Sequence, residues 1–151
     1  MSYVGASTTP SGCVFCDALS GSDDRKSLVL ARRDRAFLIL NHCPYAPGHL
    51  RAVVNRHVGT LADATPDEIA AAVELVTLAT RILTMEYRAE GFNVGLNQGR
   101  VAGAGIVDHL HLHIVPRWNG DTNFIPVMGD VRVIPEALEA TYDRLKGRLG
   151  G

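Results

Sequence analysis

The sequence predicts an α+β fold: about five antiparallel strands with one long helix and one C-terminal helix. Three observations predict it. Short apolar runs rich in β-formers recur between turn residues. One long stretch carries apolar residues at helical spacing behind a complete start signal. A second stretch near the C-terminus opens at Pro135 and reads as a helix to about Leu149.

Residues 1–12 are rich in Ser, Thr, Gly and Pro and read as a flexible lead-in; residues 13–151 read as a single domain. Cys13 to Ala18 is a short knuckle, and Gly21 to Arg25 a polar turn. Ser27 to Arg32 and Ala36 to Leu40 form an antiparallel pair about a charged turn at Arg33 and Asp34. Pro44, Pro47 and Gly48 mark a loop before a third strand, Leu50 to Val54. Thr65 caps the long helix, Pro66 takes its first position, and Glu68 completes a capping box. Its stripe runs through Ile69, Val73, Val76 and Leu83 to about Tyr87, with Gly91 as its stop. Phe92 to Leu96 is a fourth strand, Gln98 to Gly105 a loop with three glycines, and His109 to Val115 a fifth strand ended by Pro116.

The chain has 151 residues, 46% of them hydrophobic and 21% charged, enough for a real core. A net charge of −1 gives no support for nucleic-acid binding. No apolar run spans a bilayer, and no signal peptide is visible, so a cytoplasmic protein is expected. Cys13 and Cys16 form a C-x-x-C pair, and Cys43 stands alone as a small buried residue. In a reducing compartment the pair reads as metal-binding or redox-active.

The chemistry concentrates in the fifth strand. Side chains alternate along a strand, so His109, His111 and His113 share one face and Leu110, Leu112 and Ile114 the other. The apolar face packs on the core while three imidazoles line a surface cleft. Neutral imidazole is a nucleophile near pH 7 and also carries protons. Grouped imidazoles can bind a phosphate, attack it and stabilise its developing charge.

The run His109-Leu110-His111-Leu112-His113-Ile114-Val115 resembles the signature of the histidine-triad superfamily. The likeness runs from about Cys13 to about Leu138. It takes in Asn41, Pro47-Gly48-His49 and Phe92 to Asn97. The tail from Pro116 to Phe124 is most similar to the bacterial branch that cleaves diadenosine tetraphosphate. The resemblance implies a nucleotidyl transferase or hydrolase, usually a homodimer, with His111 as the nucleophile that forms a nucleotidyl-histidine. It implies His113 as a phosphate contact, Asn97 as a donor near the reacting phosphate, and Asn41 as the ribose contact. For Asn97 and Asn41 the alternative is an ordinary turn residue. Ile39 walls a base pocket or packs in the core, and His49 supports the loop. Trp118 stacks on a base or is a half-buried aromatic. Arg117 offsets phosphate charge or forms a structural ion pair.

Gly105 departs from many dinucleoside-polyphosphate hydrolases, which carry Gln four residues before the first triad His. The departure favours inorganic phosphate over water as acceptor, hence phosphorolysis of diadenosine tetraphosphate. Hydrolysis, phosphoramidase activity and a non-catalytic nucleotide-binding module are the alternatives. For the C-x-x-C pair, relatives with this knuckle imply a structural zinc held by Cys13, Cys16, His57 and His109. The expected partners are adenine nucleotides or dinucleoside polyphosphates.

Overall fold

The computed structural model describes residues 12–121 and 136–149. The readings for the lead-in up to residue 11, the tail from Thr122 to Phe124 and the helix start at Pro135 lie outside them. Five strands form one sheet in the order β1-β2-β3-β5-β4, every neighbouring pair antiparallel. They are β1 (Val29–Arg32), β2 (Ala36–Leu40), β3 (Leu50–Val54), β4 (Gly91–Gly95) and β5 (His111–Arg117). Helices α1 (Val14–Ser20), α2 (Asp24–Ser27), α3 (Pro66–Tyr87) and α4 (Leu138–Leu149) accompany the sheet.

Register decides which side chains meet. Residues paired across a ladder share a face. Phe37, Val53 and His111 therefore lie on one face with Ile39, Arg51 and His113. Leu38, Ala52 and Leu112 lie on the other with Leu40, Leu50 and Ile114. Helix α3 covers this second face and buries Ala72, Leu75, Val76, Ala79, Ile82 and Leu83. The Thr65 capping box is formed as read: the Glu68 amide donates to Thr65 Oγ1 at 3.1 Å, and the Thr65 amide to Glu68 Oε1 at 2.8 Å. Helix α4 packs on α3 and β1, with the Tyr142 hydroxyl donating to the Val29 carbonyl at 3.0 Å.

Several sequence readings are corrected. The knuckle is a helix, α1, and the polar turn after it yields a second short helix, α2, capped by the Asp23 carboxylate on the Lys26 amide. Strand β1 begins at Val29, because Leu28 turns through a left-handed φ of 67°. Val73 faces outward, 47% exposed, so the buried stripe of α3 runs through its neighbours. Gly91 does not end α3; Arg88 takes the left-handed cap at φ 55°, and Gly91 opens β4. Pro116 does not end β5. The Arg117 carbonyl accepts from the Glu90 amide, so the Pro116 nitrogen faces the opposite side, past the last β3 pair at Leu50 and Ile114. No ladder bond is lost there. Cys43 is exposed rather than buried. No helix among the described residues is long and apolar enough to cross a membrane.

Candidate active site and metal cluster

The first triad imidazole does not lie on β5. His109 precedes the strand and is fully buried, and His111 is only 6% exposed. The expected open cleft is thus roofed, because α1 lays Phe15 over the imidazoles, its ring 5.4 Å from His109 and 4.9 Å from His111 between centroids. Only His113 remains half-buried.

Backbone partners assign the proton on each ring. A carbonyl only accepts, so a ring nitrogen beside one must carry the hydrogen. His109 Nε2 donates to the Val54 carbonyl at 2.6 Å, which leaves its Nδ1 as a lone pair. His111 Nδ1 donates to the His109 carbonyl at 2.8 Å, which leaves Nε2 as the lone pair. Burial holds His111 down to about 4, against its bond to the His109 carbonyl, so the ring is neutral near pH 7.

His113 gets the opposite tautomer. The Tyr45 amide donates to His49 Nδ1 at 3.1 Å, so His49 carries its proton on Nε2. That proton points at His113 Nδ1, 2.9 Å away, and His113 therefore carries its own on Nε2. Burial and the neighbouring His113 push His49 to about 3 and keep it neutral. The paired strand positions thus hold one imidazole as a lone-pair donor and the next as an N–H donor, 5.0 Å apart.

Asn41 sits at the back of this network. Its Oδ1 accepts from Arg51 Nη2 at 2.6 Å and from the Cys43 amide at 3.1 Å, and its Nδ2 lies 3.2 Å from His49 Nδ1. Sequence reasoning gave Arg51 no role and His49 only loop support. The signal for Arg51 was one charged residue inside an otherwise apolar strand. Ile39, its cross-strand partner, is buried on the same face.

The other expected site residues make their hydrogen bonds outside this network. Asn97 is exposed, and its amide reaches the Gly103 carbonyl at 3.5 Å. Gly105 is exposed; a Cβ there would meet nothing within 4 Å, so no steric demand requires glycine. Trp118 anchors its indole N–H on the Tyr87 carbonyl at 3.1 Å, at the end of α3. Arg117 pairs with Asp121 at 2.7 Å and donates to Asn93 Oδ1.

Cys13, Cys16, His57 and His109 converge, with ligand atoms all within 4.8 Å of one another. His109 Nδ1 lies 3.3 Å from Cys13 Sγ, 3.6 Å from Cys16 Sγ and 3.2 Å from His57 Nδ1. Cys16 Sγ lies 3.4 Å from His57 Nδ1. A tetrahedron with metal–N of about 2.05 Å and metal–S of about 2.3 Å has edges of about 3.3 Å between nitrogens and 3.6 Å between nitrogen and sulfur. These four separations lie within about 0.3 Å of those edges, all the ligand atoms lie within 4.8 Å of one another, and the four residues can hold a metal ion. Burial and the Cys13 sulfur push the Cys16 thiol up to about 12, a penalty that a cation would reverse.

The chain is similar to several known proteins. The chain is 45% identical over 118 residues to an AP-4-A phosphorylase from Mycobacterium tuberculosis, covering 78% of this chain but 60% of that protein. It is 25% identical to the adenosine 5'-monophosphoramidase hnt1 of Schizosaccharomyces pombe, over 91% of this chain and 98% of that one. The crystal structure of a Zn-bound histidine triad family protein from Mycobacterium smegmatis superposes with a TM-score of 0.74 at 26% identity, covering 92% of this chain and 94% of that chain. Residues 23–120, well over half of the chain, match the HIT domain, and the chain belongs to the HIT-domain family.

Proposed function

We propose that the chain transfers a nucleotidyl group through His111, and that its reaction is phosphorolysis of diadenosine tetraphosphate. One observation carries the reading: His111 presents a neutral Nε2 lone pair, its Nδ1 proton tied to the His109 carbonyl. Nε2 attacks the α-phosphorus, a P–N bond forms, and the P–O bond to the leaving ATP breaks. The His113 Nε2–H donates to a non-bridging oxygen as charge develops. Inorganic phosphate then attacks the same phosphorus, its oxygen forms the new P–O bond, and His111 leaves, releasing ADP. The ribose hydroxyls contact Asn41. Asn97 and the exposed space at Gly105 serve the outgoing and incoming phosphates, and Trp118 borders the site. The similarity to the phosphorylase supports this substrate, although the chain spans only 60% of that relative's length.

Zinc suits the cluster, because two thiols and two imidazoles make a closed four-ligand set with no open position. Bound there, it would act structurally, pinning α1 and its Phe15 roof to the triad. Thiolate ligands suit a reducing compartment such as the cytoplasm. Strand β4 is a sheet edge, and a groove beside it is lined by Met85 and Phe92. Pairing of β4 with a second copy would close that edge and give a homodimer.

The deciding experiment is product analysis of diadenosine tetraphosphate turnover with and without inorganic phosphate. Phosphorolysis yields ADP and ATP and requires phosphate. Release of AMP and ATP at an equal rate in both conditions refutes it. Similarity to the phosphoramidase along the whole of that relative supports a second reading, cleavage of a nucleoside phosphoramidate. Turnover of that substrate alone would select it.

A further inference from the structure

Arg51 is a cation without a counter-ion among the described residues. It stands on β3 opposite His113, with its guanidinium carbon 5.0 Å from the centre of the Phe15 ring. Its only hydrogen-bond acceptor among the described residues is the neutral Asn41 amide. No carboxylate pairs with it among the described residues, and its Nε–H is buried with no partner. Among the described residues the other half-buried arginines of the sheet each have an acid: Arg32 has Asp24, and Arg117 has Asp121. Guanidinium stays charged in proteins. An uncompensated buried charge is strongly unfavourable, and stacking on one phenyl ring offsets only part of that. The imidazole opposite it on β5, His113, offers no negative charge.

A charge placed against folding in this way needs an anion that arrives later. We propose that Arg51 is an anion-binding residue of the nucleotide site, whose guanidinium takes a phosphate oxygen of the bound ligand as its counter-ion. The inference rests on reading the His111 pocket as a phosphate site. The buried Nε–H has no partner and can donate to a phosphate oxygen while Nη2 keeps its bond to the Asn41 amide. Arg51 would then let go of neither Phe15 nor the strand; it exchanges an unmet donor for a charged acceptor. It would favour ligands by their phosphate charge, whatever the base.

Calorimetry on the full chain purified with its metal tests this, using AMP, adenosine and inorganic phosphate against wild type, Arg51→Met and Arg51→Lys. The Met variant should bind AMP about 10- to 100-fold more weakly, as loss of a charged hydrogen bond implies, and adenosine within about threefold. Lys should restore part of the AMP affinity. A loss confined to inorganic phosphate titrated into the AMP complex would assign the anion to the acceptor instead of the nucleotide. Equal weakening of AMP and adenosine, or no weakening of AMP or phosphate, overturns the proposal. If the Met variant fails to fold, the wild-type arginine Nε–H resonances decide, with Arg51 assigned through the Lys variant. The Arg51 signal should shift on adding AMP and stay fixed on adding adenosine; no shift with AMP or phosphate overturns the proposal. These readouts concern binding alone, so a wild type that binds AMP but never adenylylates His111 would sink the reaction and leave the Arg51 test standing.

Discussion

Replacing Glu68 by Gln should destabilise the protein by about 2 kcal/mol at pH 7, and the loss should shrink in acid. Gln keeps the acceptor that caps α3 through the Thr65 amide, so only the charge is removed. That charge is held by a two-point contact with Arg56, both bonds 2.9 Å. The Arg56 bonds hold Glu68 down from 4.5 to about 2, against the opposing effect of burial. Such a drop corresponds to about 3.4 kcal/mol. Glu68 is 10% exposed in its side chain but Arg56 is 53% exposed, and screening brings the figure to about 2 kcal/mol. The sign follows from linkage. The native carboxyl is the stronger acid, so the contribution is complete above pH 4.5 and fades as pH falls toward 2. At pH 3 roughly 40% of it should remain. Urea unfolding of wild type and variant at pH 7 and pH 3 measures the gap at each, and any metal released in acid would be released from both. At pH 7 the melting point should fall by about 4 to 8 °C. A gap that is the same at both pH values, or below about 0.5 kcal/mol at pH 7, would show that the Arg56 pair does not stabilise the Glu68 carboxylate. The pair also matters to the metal cluster, since Arg56 precedes His57 and ties its loop to the start of α3 through Asp63 and Glu68.

Two further outcomes are expected. Cys16→Ser should weaken metal binding by at least about 100-fold and lower the melting point, read by elemental analysis and calorimetry of protein purified without a His tag. Metal content equal to wild type would count against the four-residue site. Gly48→Ala should cost about 2 to 4 kcal/mol, because Gly48 has a φ of +84° and a Cβ would stand 2.6 Å from Leu83 Cδ2 in the core. Urea titration checks it, and a cost under 1 kcal/mol would mean that Leu83 yields freely.

Local signals proved readable, and those that depend on pairing did not. Thr65, Pro66 and Glu68 announce a helix start because all of their partners lie within three residues. The five strands announce themselves through β-formers between turn residues, within a residue or two at their ends. The end of α3 at Tyr87 was legible, but its cap was not, because Arg88 adopts a conformation that glycine adopts more cheaply, leaving Gly91 for the next strand. Alternation was read correctly for His111 and His113. The burial of His109 and His111 depends on α1 and Phe15, which lie about a hundred residues away in the chain. Arg51 could not be placed beside His113 without the β3–β5 register, which no local pattern encodes. The metal set needed the family resemblance to join the knuckle to His57 and His109, and the cluster geometry brings those same four residues together.

In the proposed reaction the Nε2 lone pair of His111 becomes covalently bonded to a nucleotide. Rapid acid-free quenching during turnover of diadenosine tetraphosphate, followed by peptide mapping by mass spectrometry, tests it most directly. One adenylyl group is expected on His111, chased by inorganic phosphate into ADP and absent from a His111→Asn variant that still binds AMP. Turnover without any adduct, an adduct on another residue, or full activity in the Asn variant would contradict it.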